Sequence, residues 1–169
     1  MDLYVVRHAV AQKRDENIWP DDSERPLTAE GEEKFRRAVR GLLRLVPEVR
    51  VVLSSPFTRT WRTAEILEQA GWPAPVPCEE LEPDYPPHKV LGALARYEGL
   101  DSVAIVGHRP GLHELVSYLL TADTIGEDCG SRVQIRKGGA ARLSFDGLPE
   151  PGTGSLEWVL TPKALRKIG

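Results

Sequence analysis

Residues 102–112 read Ser102-Val103-Ala104-Ile105-Val106-Gly107-His108-Arg109-Pro110-Gly111-Leu112, and this stretch decides the fold. Residues 102–106 are short, apolar and β-branched, as a strand buried on both faces must be. The run breaks at Gly107 into two polar side chains, His108 and Arg109. Over residues 111–120, Leu112, Leu115, Val116, Leu119 and Leu120 return at three- and four-residue steps, which predicts an amphipathic helix. A strand, a polar turn and a covering helix form the repeating unit of a parallel α/β sheet.

The same unit recurs upstream. Residues 3–6 form a buried strand that ends in Arg7 and His8, and residues 51–53 form another that ends in Ser54-Ser55-Pro56. Pro56 suits the first turn of a helix, which runs to about Ala70 and stops at Gly71. Between these two strands a helix opens at Leu27-Thr28, with Thr28 as its N-cap and Glu30, Glu32 and Glu33 facing the positive end of its dipole. Phe35, Ala38, Val39, Leu42, Leu43 and Val46 make its apolar stripe, the arginines between them its solvated face, and Pro47 ends it. Further along, a short strand is expected at 76–81, helices at 87–97 and 162–168, and strands at 140–145 and 156–160. The last two strands have no long helix between them, so one of them is expected to run antiparallel. The expected fold is α/β: a three-layer α/β/α sandwich on a mostly parallel central sheet with one antiparallel strand. Residues 9–26 are polar and aperiodic, a loop long enough to suggest a functional role.

The length of 169 residues fits a single domain spanning 1–169. A net charge of -3 gives no reason to expect nucleic acid or an anionic membrane as partner. No apolar run approaches a bilayer span and no signal-peptide pattern opens the chain, so a cytoplasmic protein is expected. Cys78 and Cys129 lie far apart in sequence and read as reduced thiols.

Ligands of open α/β sheets sit at the carboxyl ends of the strands. Three parallel strands would bring Arg7, His8, Arg59 and His108 to one rim, and packing gives no reason for that choice of residues. Arginine offers planar paired donors to phosphate, and the start of the helix near Pro56 adds free N–H groups. A neutral imidazole can attack phosphorus and carry the phosphoryl group covalently. Neighbouring arginines favour the neutral ring and stabilise the oxygens in transfer. Ser55 and Arg62 are secondary candidates for phosphate binding, although Ser55 reads equally as a helix cap and Arg62 as a partner of Glu65. Trp19 is a candidate wall residue, and His88 reads as a solvated helix start. His113 and Glu114 lack the spacing of a metal pair, so neither a metal nor any other cofactor is expected.

Four segments resemble the histidine phosphatase superfamily, also called phosphoglycerate mutase-like. They are Leu3-Tyr4-Val5-Val6-Arg7-His8-Ala9, Arg25-Pro26-Leu27-Thr28-Ala29-Glu30-Gly31, Ser54-Ser55-Pro56-Phe57-Thr58-Arg59-Thr60 with Arg62-Thr63-Ala64, and Val106-Gly107-His108-Arg109-Pro110-Gly111. They occur in the family's order and span most of the chain. The resemblance implies that His8 is the phosphorylated nucleophile, attacking through Nε2 while a backbone carbonyl holds Nδ1. It makes Arg7, Arg59 and His108 the rest of the phosphate pocket. The short chain and the Arg7-His8-Ala9-x-Ala11 pattern look like the SixA branch of protein phosphohistidine phosphatases. Most other branches carry a glutamate that protonates the leaving oxygen. Here the comparable segment, Glu79-Glu80-Leu81-Glu82-Pro83-Asp84, does not fit that motif, which leaves Glu82, Asp84, Asp15 and Asp22 as candidate acids. A phosphohistidine needs less acid help, because its imidazole can leave already protonated on the other nitrogen. The expected partner is therefore a phosphohistidine-bearing protein. The rivals are a small phosphorylated metabolite hydrolysed by a small-molecule phosphatase, and a phosphoprotein-binding module without turnover.

Overall fold

The computed structural model describes residues 1–83, 85–123 and 133–169. Six strands, β1 (Asp2–Arg7), β2 (Val51–Ser54), β3 (Pro75–Pro77), β4 (Ser102–Gly107), β5 (Ala140–Ser144) and β6 (Ser155–Leu160), form one sheet in the order β3-β2-β4-β1-β5-β6. β1 pairs in parallel with β4, and β4 in parallel with β2, from Asp2 opposite Ser102 to Arg7 opposite Gly107. β5 is antiparallel to both β1 and β6, so it is the strand that runs against the others, as the missing crossover helix predicted.

Because successive side chains of a strand point to opposite faces, the sheet feeds two cores. Tyr4, Val6, Val52, Ala104 and Val106 face one side. There they meet α1 (Ala29–Leu45), α2 (Thr58–Gln69) and α5 (Pro162–Ile168) through Phe35, Leu42, Ile66 and Leu165. Leu3, Val5, Leu53, Val103 and Ile105 face the other, against α3 (Pro87–Ala95) and α4 (Gly111–Thr121) through Val90, Leu94, Leu115 and Leu119. The fold is thus a three-layer sandwich. Each fully buried Leu or Ile in it contributes about 1.5–3 kcal/mol of transfer free energy. Truncating Ile105, which has no exposed surface, to alanine would cost about 2–5 kcal/mol.

α1 begins as its capping residue dictates: Thr28 Oγ1 accepts the Gly31 N–H at 2.9 Å. At Gly31 a Cβ would stand 2.2 Å from the Val10 carbonyl oxygen, so only glycine lets the 9–26 segment cross the start of this helix. Thr28 N–H donates to the same carbonyl, and an isolated bridge joins Ala11 to Leu27. The segment also contains a 3-10 turn at Asp22–Glu24. Three boundaries differ from expectation by more than one residue. α2 starts at Thr58 with Phe57 at its N-cap, so Pro56 precedes the first turn. The strand predicted at 76–81 is cut to Pro75–Pro77, because two of its three residues are prolines without N–H donors, and Glu79–Leu81 is a 3-10 turn. The helix predicted to reach residue 97 ends at Ala95, with Arg96 as its C-cap. Among the described residues, no helix is long and apolar enough to cross a membrane.

Candidate active site

The parallel pairing of β1 with β4 continues one residue past the end of β1, since the His8 N–H donates to the carbonyl of Gly107, the last residue of β4, at 3.1 Å. This brings His8 beside His108, with ring centroids 5.3 Å apart. Both rings are buried, 6% and 3% exposed. His8 Nδ1 lies 2.7 Å from the Ala9 carbonyl oxygen, so this nitrogen carries the proton and Nε2 keeps its lone pair. The Ala9 N–H donates to Thr63 Oγ1 at 3.0 Å and the Thr63 hydroxyl to the Arg59 carbonyl at 2.7 Å, tying the end of β1 to α2. Burial lowers the His8 pKa to about 3; the hydrogen bond to the Ala9 carbonyl opposes it, and the Arg59, Arg7 and Lys137 cations, each a smaller effect, add to the lowering. Burial, then His8 and Arg59, lower that of His108 to about 2. Both rings are neutral at physiological pH.

Arg7 and Arg59 are buried around the same point. Arg7 Nη1 donates to the Ile135 carbonyl at 3.0 Å. Arg59 Nη1 donates to the Asp22 carbonyl at 2.6 Å, and its Nη2 lies 2.9 Å from the Asp22 carboxylate. Arg59 also stacks over the Phe57 ring, 5.0 Å from its centroid. The Nε of each arginine is buried and meets no acceptor among the described residues. A buried donor without an acceptor is costly, and these two are suited to an anionic oxygen. His108 Nε2 is 3.1 Å from Ser55 Oγ and 3.4 Å from Thr60 Oγ1, so two hydroxyls fix its ring.

The four side chains line one cavity of about 600 Å³ at the carboxyl ends of β1 and β4. Its other charged lining residues are Lys13, Arg14, Arg25, Arg109 and Lys137, all cationic, and Asp22, the single anionic one among those described. Lys137 escaped the sequence reading. Its signal is the basic pair Arg136-Lys137 just before the glycines that lead into β5. Because β5 runs antiparallel to β1, residues preceding β5 arrive where β1 ends. Gly138 makes the join. Its N–H lies 3.0 Å from both the Arg7 and the His8 carbonyl oxygens, and its φ of +73° favours glycine.

The lesser candidates separate. Arg62 is turned away from the cavity: its Nε and Nη2 donate to the two Glu32 carboxylate oxygens, each at 2.9 Å, and its Nη1 to Glu65 at 3.0 Å. Ser55 is fully buried and accepts the Phe57 N–H at 3.3 Å, so it supports His108 from behind and does not line the cavity. Asp22 does line it, but hydrogen bonding to Arg25 at 2.7 Å and the Arg59 charge lower its pKa and keep it ionised, which disfavours it as an acid. Asp15 closes a local turn with the Asn17 N–H at 3.0 Å, outside the lining. Pro83 is part of the wall; the neighbouring Glu82 is not, and Asp84 falls outside the described residues. Trp19 is not a wall residue, and His88 is exposed. His113 has a role the sequence did not suggest: its Nε2 accepts the Ile135 N–H at 3.1 Å and so holds the residue whose carbonyl holds Arg7. Among the described residues no cluster of three or more His, Cys, Asp or Glu is arranged to hold a metal ion.

The model of the histidine phosphatase superfamily (branch 1) matches residues 3–82, which include Arg7, His8 and Arg59. An uncharacterized protein of Picosynechococcus sp. is 31% identical over 146 residues, covering 85% of this chain and 84% of that protein. The chain belongs to the histidine phosphatase superfamily. It is accordingly a phosphatase. Within the superfamily, the phosphohistidine phosphatase SixA of Escherichia coli K12 is 29% identical over 173 residues, covering 98% of this chain and 97% of its own. The structure of the protein histidine phosphatase SixA complexed with tungstate superposes with a TM-score of 0.80 at 26% identity, over 98% of this chain and 99% of that one. The superfamily's fold accounts for the α/β sandwich, and its model spans two of the three strand ends that meet at the cavity.

Proposed function

We propose that this phosphatase removes the phosphoryl group from phosphohistidine on a protein, through a covalent intermediate on His8. The observation that carries the reading is the state of the His8 ring: Nδ1 is fixed on the Ala9 carbonyl, the ring is neutral, and Nε2 is the free nucleophile. In the first step the Nε2 lone pair forms a bond to phosphorus while the bond from phosphorus to the substrate nitrogen breaks. The departing imidazole takes that electron pair and leaves neutral, its other nitrogen already protonated. Arg7, Arg59 and His108 donate to the phosphoryl oxygens and stabilise the charge on them during transfer. In the second step water attacks phosphorus, the bond to Nε2 breaks, and the water proton passes to the phosphate released. Asp22, the single carboxyl group among the described lining residues, is held ionised. That state suits a substrate whose leaving group needs no strong acid, and it favours the phosphoramidate over an alkyl phosphate. The similarity to the SixA proteins supports the same substrate.

Turnover of a phosphohistidine protein, of phosphoserine and of sugar phosphates, measured side by side with rapid quench, tests the reading. The expected result is fastest turnover of the phosphohistidine protein, with an acid-labile, base-stable phosphate trapped on His8. Faster turnover of the monoesters would transfer the assignment to a small-molecule phosphatase. Binding without trapped phosphate would make the site a phosphoprotein-binding module.

A further inference from the structure

The mouth of the cavity carries more positive charge than one phosphoryl group can use. That group bears about two negative charges, which Arg7 and Arg59 match at the floor of the cavity. Outside them Lys13, Arg109 and Lys137 line the cavity, and Arg136 precedes Lys137 just beyond the lining; all four are exposed and without an ion pair among the described residues. They come from three separate segments: the loop after β1, the turn after β4 and the turn before β5. Their proximity is unfavourable for the protein alone: burial disfavours the charge on Arg7 and on Lys137 most, and to this Arg109 and Arg136 add at Arg7, and Arg7, Arg25, Arg109 and Arg59 at Lys137. Yet the whole chain has a net charge of -3, so the surplus is local.

We infer that this rim is a docking surface for an acidic protein face, with carboxylates surrounding the phosphohistidine that enters the cavity. The inference rests on the proposed substrate and adds the charge of its surroundings. Long exposed side chains on three segments suit the diffuse steering of a broad acidic face. A second phosphate site for a small polyanion would instead need buried donors fixed on one point, as Arg7 and Arg59 are.

The variant Arg136→Glu tests this. Its side chain is exposed and does not line the cavity that holds the phosphoryl group. The probes are a histidine-phosphorylated phosphotransfer domain with carboxylates around its phosphohistidine, the same domain with those carboxylates changed to amides, and free phosphoramidate. With the acidic domain, kcat/KM is expected to fall by about 10-fold or more in the variant, and to fall with salt more steeply in the parent than in the variant. With phosphoramidate the two proteins should agree within about twofold, and the amidated domain should be insensitive to the charge reversal. Equal losses on all three probes, or no loss on the acidic domain, would overturn the docking surface. So would tripolyphosphate inhibition far stronger than that by phosphate and abolished in the variant, which would mark a small-polyanion site. Failure of the parent to turn over any phosphohistidine probe would instead refute the proposed substrate, a result distinct from all of these.

Discussion

The two ends of the sheet are both rich in charge, and they use it in opposite ways. At the amino ends of the strands every prominent charge has a partner. Asp2 meets Arg142 at 2.9 Å, Arg50 meets Asp101 at 3.1 Å and also pairs with Glu48, and the Tyr4 hydroxyl donates to Asp2 at 3.3 Å. At the carboxyl ends Arg7, Lys13, Arg109 and Lys137 have no carboxylate partner among the described residues. The arginines register the difference: the Asp101 and Glu48 carboxylates raise the pKa of Arg50, whereas burial and neighbouring cations lower that of Arg7 to about 10. Charge matched within the chain serves the fold. Charge left unmatched, and partly buried, is kept for an anion from outside.

The largest effect that could break this contrast comes from the proposed nucleophile, His8. His8→Ala should lower turnover of a phosphohistidine protein by about 10³-fold or more and leave no phosphate trapped on the protein. Steady-state kinetics with acid-free gel detection would check it, and turnover near the parent rate would remove His8 from the mechanism. Next comes Arg59→Lys, which keeps the charge and loses the planar pair of donors. A fall in kcat of about 10²–10³-fold is expected, comparable with removal of one oxyanion donor.

The third test is stability against pH. The unfolded chain protonates His8 and His108 near the ordinary value of 6.5, whereas the native rings stay neutral down to about 3 and about 2. Between these limits the unfolded state binds more protons. Stability therefore falls as pH drops below 6.5, by up to about 1.4 kcal/mol per pH unit for each ring. Urea unfolding at pH 7 and pH 5 would measure it, and His8→Ala should flatten the slope. The smallest effect belongs to the other end of the sheet. Arg50→Ala should leave turnover within about twofold, because an exposed ion pair contributes little and lies far from the cavity. A large catalytic loss in that variant would contradict the division of labour between the two ends.

Much of this was legible in the sequence, for physical reasons. Buried parallel strands are apolar throughout, so residues 3–6, 51–53 and 102–106 stood out, and polar residues directly after them had to lie on one rim. That placed Arg7, His8 and His108, and one helical turn placed Arg59. The rest depended on contacts between distant parts of the chain. For Arg62 the sequence offers both the pocket and a pairing with Glu65; the structure forms the Glu65 pair and adds Glu32, thirty positions earlier on α1. Lys137 required knowing that β5 lies against β1. Ser55 could be assigned to the support of His108 only once the two strand ends were side by side. The short strand at Pro75–Pro77 was misjudged in length because prolines at a sheet edge end a ladder that apolar pattern alone would extend.

The position of β1 at the middle of the sheet also bears on how the protein comes into being during translation. Its two neighbours, β4 and β5, are made roughly a hundred or more residues later, and β1 can pair with neither until they have left the ribosome. For most of synthesis, then, the segment bearing His8 waits as an unzipped strand. Neither of its edges is satisfied before residue 102 emerges, and the second edge closes only after residue 140. A nascent chain stalled halfway would hold His8 with no cavity around it, and would be a ready substrate for chaperones that capture exposed strands.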